Sequence, residues 1–545
     1  MSEAAGFGSE VSHGSRAVAP PAAALAAWAV GLAALTAAPY FYLASRTADY
    51  AGTGARFNWI LPPYPEDSLS YAAWVAQAAS GAWLFQVKYT GIEHAPALFH
   101  PLFLSVGWLS AATGLDAGQA LCAARLLGVL VFAAALFGFL CRLPVDRRTY
   151  WIALWLIALS SGAGFLAARL GFGSADLWMP ELNTLWSLTW NPVSTFALAT
   201  MLWIATLIQR FDTERRLSLL AWAGFGTGLL AFLHPYDVPV MAAIAALVIA
   251  TGPVGAERLR PLGLYLLVCA PAVLLQLAIA NLNPILSRHS ATLMSSPSPG
   301  AYVSALGIPA LFFAVGLVLL VRDGGWRSFR LPLFWVAATA LLVYAPVWFQ
   351  RHMALGVHVP VCIVAAVGLE RVAARASAGR SALFAALVVV VVAASALTQL
   401  HNISAGERAV RRDTGDYYLP EQLAQVFEAL RSRSDPQDRV LAHPSIAVQI
   451  PGRTGNTVLL GHWAQSVDAR DTRRWLGFLF APLPDEPAAR AVAERRASLA
   501  ERRVRYLLVD PRVRREWFRG PAPEWLARDF APVFQAGPYT LLEVR

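Results

Sequence analysis

The sequence predicts a mainly α-helical protein: a polytopic membrane protein with about eleven transmembrane helices, followed by a soluble α/β domain. Three observations carry this. The 545 residues are 57% hydrophobic and 14% charged, with a mean hydropathy of +0.49, which is too apolar for a water-soluble globule. Apolar runs of roughly 17 to 25 residues, the length a bilayer requires, recur between Val18 and Leu400. Beyond His401 charged residues become frequent, and short strand-like runs alternate with helix-like ones.

Residues 1–17 are polar and read as a cytoplasmic N-terminus. The run from Val18 to about Ala44 is too long for a signal-peptide core and reads as the first span. Residues 46–117 form an outer loop, in which Ala97 to about Gly114 is apolar but carries His100 and Pro101, so it is expected to lie in or dip into the outer face. Further spans are expected over Gln119–Cys141, Thr149–Leu170, Pro192–Gln209, Leu217–Leu233, Tyr236–Thr251, Leu262–Leu282, Val303–Val321, Leu331–Phe349, Met353–Leu369 and Ser381–Leu400. These complete a membrane domain over residues 18–400. Residues 401–545 are expected to form an extracytoplasmic α/β domain, with strands near Arg439–Ala442, Thr457–Leu460, Arg505–Val509 and Tyr539–Val544.

The net charge of +10 would suggest a nucleic-acid partner for a soluble protein. Here the basic residues cluster in alternate short loops, around Arg142, Arg147 and Arg148, around Arg210, Arg215 and Arg216, around Arg258 and Arg260, and onward, which marks those loops as cytoplasmic. No nucleic acid is therefore expected, and the protein is assigned to the cytoplasmic membrane with its C-terminal domain outside. The four cysteines lie in or beside apolar runs, at spacings that fit neither a zinc site nor a disulfide framework. No internal repeat stands out, which weighs against an inverted-repeat transporter.

The stretch Pro62–Tyr71 holds an acidic pair, Glu66 and Asp67, where the chain leaves the first span. Pro65 suits the first turn of a helix, and the run Ser68–Ser80, stopped by Gly81, has Tyr71, Trp74, Val75 and Ala78 at helical spacing. Asp67 is read either as an N-cap for that helix or as a catalytic carboxylate. Other polar residues gather on the same side: Lys88, the sole lysine, with Glu93, His94 and His100; Asp176, Glu181, Asn183 and Asn191; His234 and Asp237 in a tight turn; then Arg288, Arg351 and His352. Each has a plainer alternative. His234-Pro235 also fits a hairpin corner with Asp237 as the next N-cap, Arg351 and His352 fit headgroup anchors, and Trp178, Trp186 and Trp190 fit an interfacial aromatic belt. Arg125 and Arg169 are near span ends, where long side chains snorkel.

An N-terminal span, an outer loop opening with an acidic pair, an apolar surface helix, many further spans and a C-terminal outer domain together resemble the GT-C superfamily of polyprenyl-phosphate-sugar glycosyltransferases. Protein O-mannosyltransferases and the lipid A aminoarabinose transferase belong to it. Glu66-Asp67 with Tyr71 and Gly81 match the acidic motif and its helix, Ala95–Leu115 stands where the surface helix stands, and Ala124-Arg125-Leu126-Leu127 matches an arginine at the start of the next span. Lys88 lies where related proteins carry a lysine, though it is not adjacent to the Pro-Leu element.

The resemblance implies an inverting transfer of a sugar from a polyprenyl-phosphate carrier to a lipid or glycan acceptor on the outer face. Asp67 is then the expected base and Glu66 the lesser candidate. Lys88, Tyr71, His94, His234, Asp237, Arg351 and His352 are the expected substrate-binding set. Sugar transfer needs a carboxylate for the acceptor and cations for the departing phosphate. No cofactor is expected with certainty; some relatives use acidic pairs to hold a divalent metal, so that expectation stays open, although one pair offers few oxygens. Two alternatives are a lipid or polysaccharide transporter or flippase, and a non-catalytic envelope assembly protein.

Overall fold

The computed structural model describes residues 20–252, 259–289, 294–482 and 488–544. The proposed N-terminal segment 1–17 and Arg258 lie outside the described residues.

Among the described residues seven helices are long and apolar enough to cross a membrane: Ala22–Ser45, Ala117–Leu140, Pro192–Glu214, Leu259–Leu282, Pro299–Arg322, Gln350–Ser377 and Ser381–Arg412. The chain is a multi-pass membrane protein. The four other expected spans are shorter, at Arg147–Leu159, Leu217–Leu233, Val238–Thr251 and Arg330–Leu342. At a rise of about 1.5 Å per residue, a helix such as Arg147–Leu159 spans roughly 20 Å, short of the roughly 30 Å hydrocarbon core.

The reason for the shortening is visible at the first of these. The sequence predicts one helix over Thr149–Leu170, but it stops at Leu159 and resumes only for Gly164–Arg169. Between them the backbone bonds to other elements, Ser161 N–H to the Ser395 carbonyl and Ala163 N–H to the Ser304 carbonyl, both at 2.8 Å. Gly162 permits this because a side chain there would overlap the backbone of Ser304 and Ala305. Hydropathy cannot report such a break, since every residue in it is small or apolar enough for a span.

Arg125 also departs from expectation. It does not snorkel: it is 0% exposed, with its guanidinium 4.5 Å from the centre of the Tyr40 ring and donating to the Leu188 carbonyl at 3.2 Å. The Tyr40 hydroxyl in turn donates to the carbonyls of Thr189 and Trp190, so the first span, the span bearing Arg125 and the helix Thr184–Trp190 are tied through one cation–π pair.

Two sheets complete the fold. β1 (Arg56–Phe57) in the loop after the first span pairs antiparallel with β2 (Tyr418–Leu419). β3 (Arg439–Leu441), β4 (Thr457–Val458), β5 (Val504–Val509), β6 (Phe530–Ala536) and β7 (Tyr539–Val544) form a sheet of order β4-β3-β5-β7-β6. β4, β3 and β5 run parallel, with helices such as Ala469–Leu479 and Ala488–Glu501 between β4 and β5, and the β6–β7 hairpin is antiparallel. β6 has no counterpart among the strands expected from the sequence, and it carries Pro532. The proline is tolerated because β6 is an edge strand, and the register shifts between Pro532 and Phe534.

The loop after the first span and the C-terminal region share one core. Phe57, Leu69, Val87 and Tyr89 pack in the same buried cluster as Tyr418, Val426, Ile446 and Leu541. A shared core puts the two regions on one side of the membrane. From the arginine distribution we propose that this side is the outer one. A Gln437→Cys variant, whose position is exposed, is therefore expected to react with a membrane-impermeant maleimide in intact cells. Labelling that appeared only after permeabilisation would invert the orientation.

Candidate functional site

The acidic helix spans Pro65–Ala79, with Pro65 at its first position, where no N–H is needed, and Glu66 and Asp67 in the first turn. The Ser70 hydroxyl donates to the Asp67 carbonyl at 2.8 Å. Asp67 thus lies inside the first turn and is not the N-cap, a position held by Tyr64, and its carboxylate takes no backbone N–H of its own helix among the described residues. It reaches instead to the segment between β4 and the helix Ala469–Leu479. His462 Nε2 lies 3.0 Å from Asp67 Oδ1, and the Trp463 indole N–H donates to the same oxygen at 3.3 Å. The Asp67 side chain is 21% exposed and that of His462 is 4% exposed.

The imidazole tautomer follows from its other side. His462 Nδ1 accepts the backbone N–H groups of Ala464 and Gln465, both at 3.1 Å, so the proton resides on Nε2, which donates to Asp67. The ring is packed between Trp463, nearly parallel at 24°, and Tyr89. Neither His462 nor Trp463 is singled out by the sequence. They lie nearly four hundred residues from Asp67, and a single His-Trp pair after a strand-like run carries no motif.

Around Asp67 lie three segments from other parts of the chain. The Asp67 charge is felt at the phenols of Tyr64, Tyr71 and Tyr236, and that of Glu181 at the first two. Tyr64 donates to the Trp178 carbonyl at 2.7 Å and packs edge-on against Trp190. Tyr71 packs on Trp74 and Phe103, which fixes the acidic helix against the surface helix Pro101–Thr113. The Tyr236 ring stacks on His352 with centroids 4.9 Å apart, and His352 Nδ1 meets Glu181 Oε1 at 2.7 Å. Arg351 lies over the Trp178 ring at 5.4 Å. Burial alone would push the Glu181 carboxyl up, yet the His352 bond and the Arg351 charge hold it below its ordinary value. His234 Nδ1 meets Asp237 Oδ2 at 2.8 Å. Three buried polar atoms in this set have no partner among the described residues, Arg351 Nε, Asp237 Oδ1 and Trp190 Nε1.

Of the residues expected at the site, the structure gathers Asp67, Tyr71, His234, Asp237, Arg351 and His352. It turns three away. Glu66, about 100° round the helix from Asp67, acts on Asp416 and Tyr417 instead. The Lys88 ammonium donates to the Pro436 carbonyl at 3.2 Å, and burial lowers its pKa. His94 is a loop staple, with Nε2 accepting the Val87 N–H and Nδ1 against the Ile92 carbonyl. A loop position says nothing of which way a side chain turns: Glu66 and Lys88 face the C-terminal region packed on the loop, and His94 turns back to its own loop.

Among the described residues no group of three or more His, Cys, Asp or Glu side chains is placed to hold a metal ion. Glu66 and Asp67 do not converge as ligands, because they face different neighbours.

No family model matches the chain, and no curated protein matches it. Solved structures do. The arabinofuranosyltransferase AftD from Mycobacteria superposes with a TM-score of 0.56 at 16% identity, over 96% of this chain and 40% of AftD. ArnT from Cupriavidus metallidurans bound to undecaprenyl phosphate superposes with a TM-score of 0.52 at 13% identity, over 95% of this chain and 98% of ArnT. The chain has the GT-C fold. The chain spans less than half the length of AftD and nearly all of ArnT.

Within this GT-C fold, Asp416 marks where the acidic helix meets the C-terminal region. Burial, with the Glu66 charge second, raises its carboxyl to about 6. A carboxyl whose folded pKa lies above its unfolded value near 3.9 costs no stability while protonated in both states. It becomes destabilising as pH rises from about 4 through about 6. Asp416→Asn is therefore expected to raise the unfolding midpoint at pH 7.5, by an amount corresponding to about 1–2 kcal/mol after allowance for partial solvent screening, and to leave it unchanged at pH 4. Equal shifts at both pH values would contradict this account.

Proposed function

We propose that the protein is a membrane glycosyltransferase that moves a sugar from a polyprenyl-phosphate carrier to an acceptor hydroxyl at the outer membrane face, with inversion. The observation that carries this reading is the Asp67 carboxylate, held by one oxygen at the mouth of its helix and flanked by the Tyr64–Trp178–Arg351 group. The GT-C fold, and the undecaprenyl phosphate named for the ArnT structure it resembles, support a lipid-phosphate donor.

In the proposed step the acceptor oxygen bonds to the anomeric carbon from the face opposite the phosphate. The carbon–oxygen bond to phosphate breaks with its electron pair leaving on the phosphate. The acceptor proton passes to Asp67, and Arg351 stabilises the charge that develops on the departing lipid phosphate. A metal is assigned no step. The test is to incubate purified protein with a panel of undecaprenyl-phosphate sugars and native membrane extract as acceptor source. Acceptor-dependent release of undecaprenyl phosphate is expected from at least one donor; consumption of none would dispose of the reading.

A further inference from the structure

We propose that the C-terminal sheet domain completes the active site, with His462 and Trp463 acting as a two-donor clamp that sets the orientation of Asp67. The inference rests on the glycosyl-transfer reading above for its kinetic consequence and on geometry alone for the clamp.

The argument begins with the two oxygens of Asp67. Oδ1 accepts from both His462 Nε2–H and Trp463 Nε1–H. Among the described residues nothing donates to Oδ2, so the clamp leaves that oxygen to receive the acceptor proton. A carboxylate held by one donor still swings about that bond; two donors on the same oxygen, from rings stacked at 24°, fix the plane of the group. His462 is itself held at its far nitrogen by two backbone N–H groups, which sets both its tautomer and its angle. It is buried, whereas Trp463 is 52% exposed, so the clamp has a fixed inner half and a solvent-exposed outer one.

The supporting shell also reaches back into the sheet domain. Tyr89, which packs on His462, donates to the Val448 carbonyl at 3.1 Å, and the Val458 N–H donates to the Lys88 carbonyl at 2.9 Å. The loop bearing Lys88 and Tyr89 is therefore bonded to the C-terminal region at Val448 and Val458, and movement of that region relative to the acidic helix would carry His462 off Asp67. His462 is a positioning residue. It touches no reacting atom and acts through Asp67.

Four variants and one coupling measurement test this. His462→Ala is expected to lower kcat by about 10- to 100-fold with the donor KM within about two-fold, because an ill-oriented base slows chemistry without loosening donor binding. His462→Gln, whose amide N–H replaces the Nε2 donor, should recover most of that loss, and Trp463→Phe, which keeps the ring and removes the N–H, should cost several-fold. In an Asp67→Asn background His462→Ala should cost nothing further. An unchanged kcat in His462→Ala, or a Gln variant as slow as the Ala variant, overturns the proposal. Independently of any activity, thermal unfolding of Asp67→Ala, which removes the acceptor oxygen, of His462→Ala and of the double variant should give shifts that do not add. Additive shifts overturn the clamp even where transfer is observed. A wild-type protein that turned over no donor would remove the transfer reading, and the unfolding cycle would then decide the clamp by itself.

Discussion

Asp67→Asn is expected to lower sugar transfer by about 10² to 10⁴ while leaving the protein folded. The size of the effect separates two roles that a carboxylate in a first helical turn can have. A capping or dipole role is worth about 0.5–2 kcal/mol and shows as lost stability. A base has no substitute, and the loss shows in rate. The structure makes Asn a clean probe, since its amide oxygen still accepts from His462 Nε2–H and Trp463 Nε1–H at the position of Oδ1. The unfolding midpoint should therefore move little. The measurement is initial transfer rate and thermal unfolding on the same detergent-purified samples. Normal turnover with lowered stability would return Asp67 to a structural role.

The sequence made the membrane class and the acidic helix legible for a simple reason: both are local. Long apolar runs follow directly from bilayer thickness, and Pro65 before two acids is a helix start whatever packs on it later. The strands β3, β4, β5 and β7 were legible on the same ground. What was not local was not legible. The breaks at Ser160–Ala163 and after Leu342 depend on partners far along the chain, as the Ser395 and Ser304 carbonyls show for the first.

The same distinction runs through the site. His234–Asp237 sits within one turn and was visible; Glu181–His352 joins two loops, and the sequence showed only that both ends lie on one side of the membrane. His462 and Trp463 were invisible because the second domain supplies them. Lys88 and His94 each engage a backbone carbonyl, which the sequence does not signal, because a cation or an imidazole in a loop is as readily taken up by carbonyls as by a substrate.

The other large effect is expected at Arg351. Arg351→Lys should lower kcat/KM for the lipid donor by about 10- to 100-fold although the charge is kept, corresponding to roughly 1.5–3 kcal/mol for a charge-assisted hydrogen bond. The guanidinium lies over Trp178, and its buried Nε has no partner among the described residues, so no protein acceptor holds the group there and its fork is expected to take phosphate oxygens. Lysine reproduces neither the fork nor the stacking. Arg351 shares its neighbourhood with Glu181, whose carboxylate is already bonded to His352 at 2.7 Å and so competes only in part for the guanidinium. Glu181→Gln should accordingly tighten donor binding without restoring any loss at position 351. Lys88→Ala supplies the contrast: its ammonium serves the Pro436 carbonyl, and donor kinetics should change by less than about two-fold. Donor titrations of the three variants at two salt concentrations distinguish the outcomes, because weaker engagement of the phosphate by the side chain at position 351 also lowers the salt dependence of donor binding. Equal kinetics for wild type and Arg351→Lys would remove Arg351 from the phosphate and leave it as an anchor on Trp178.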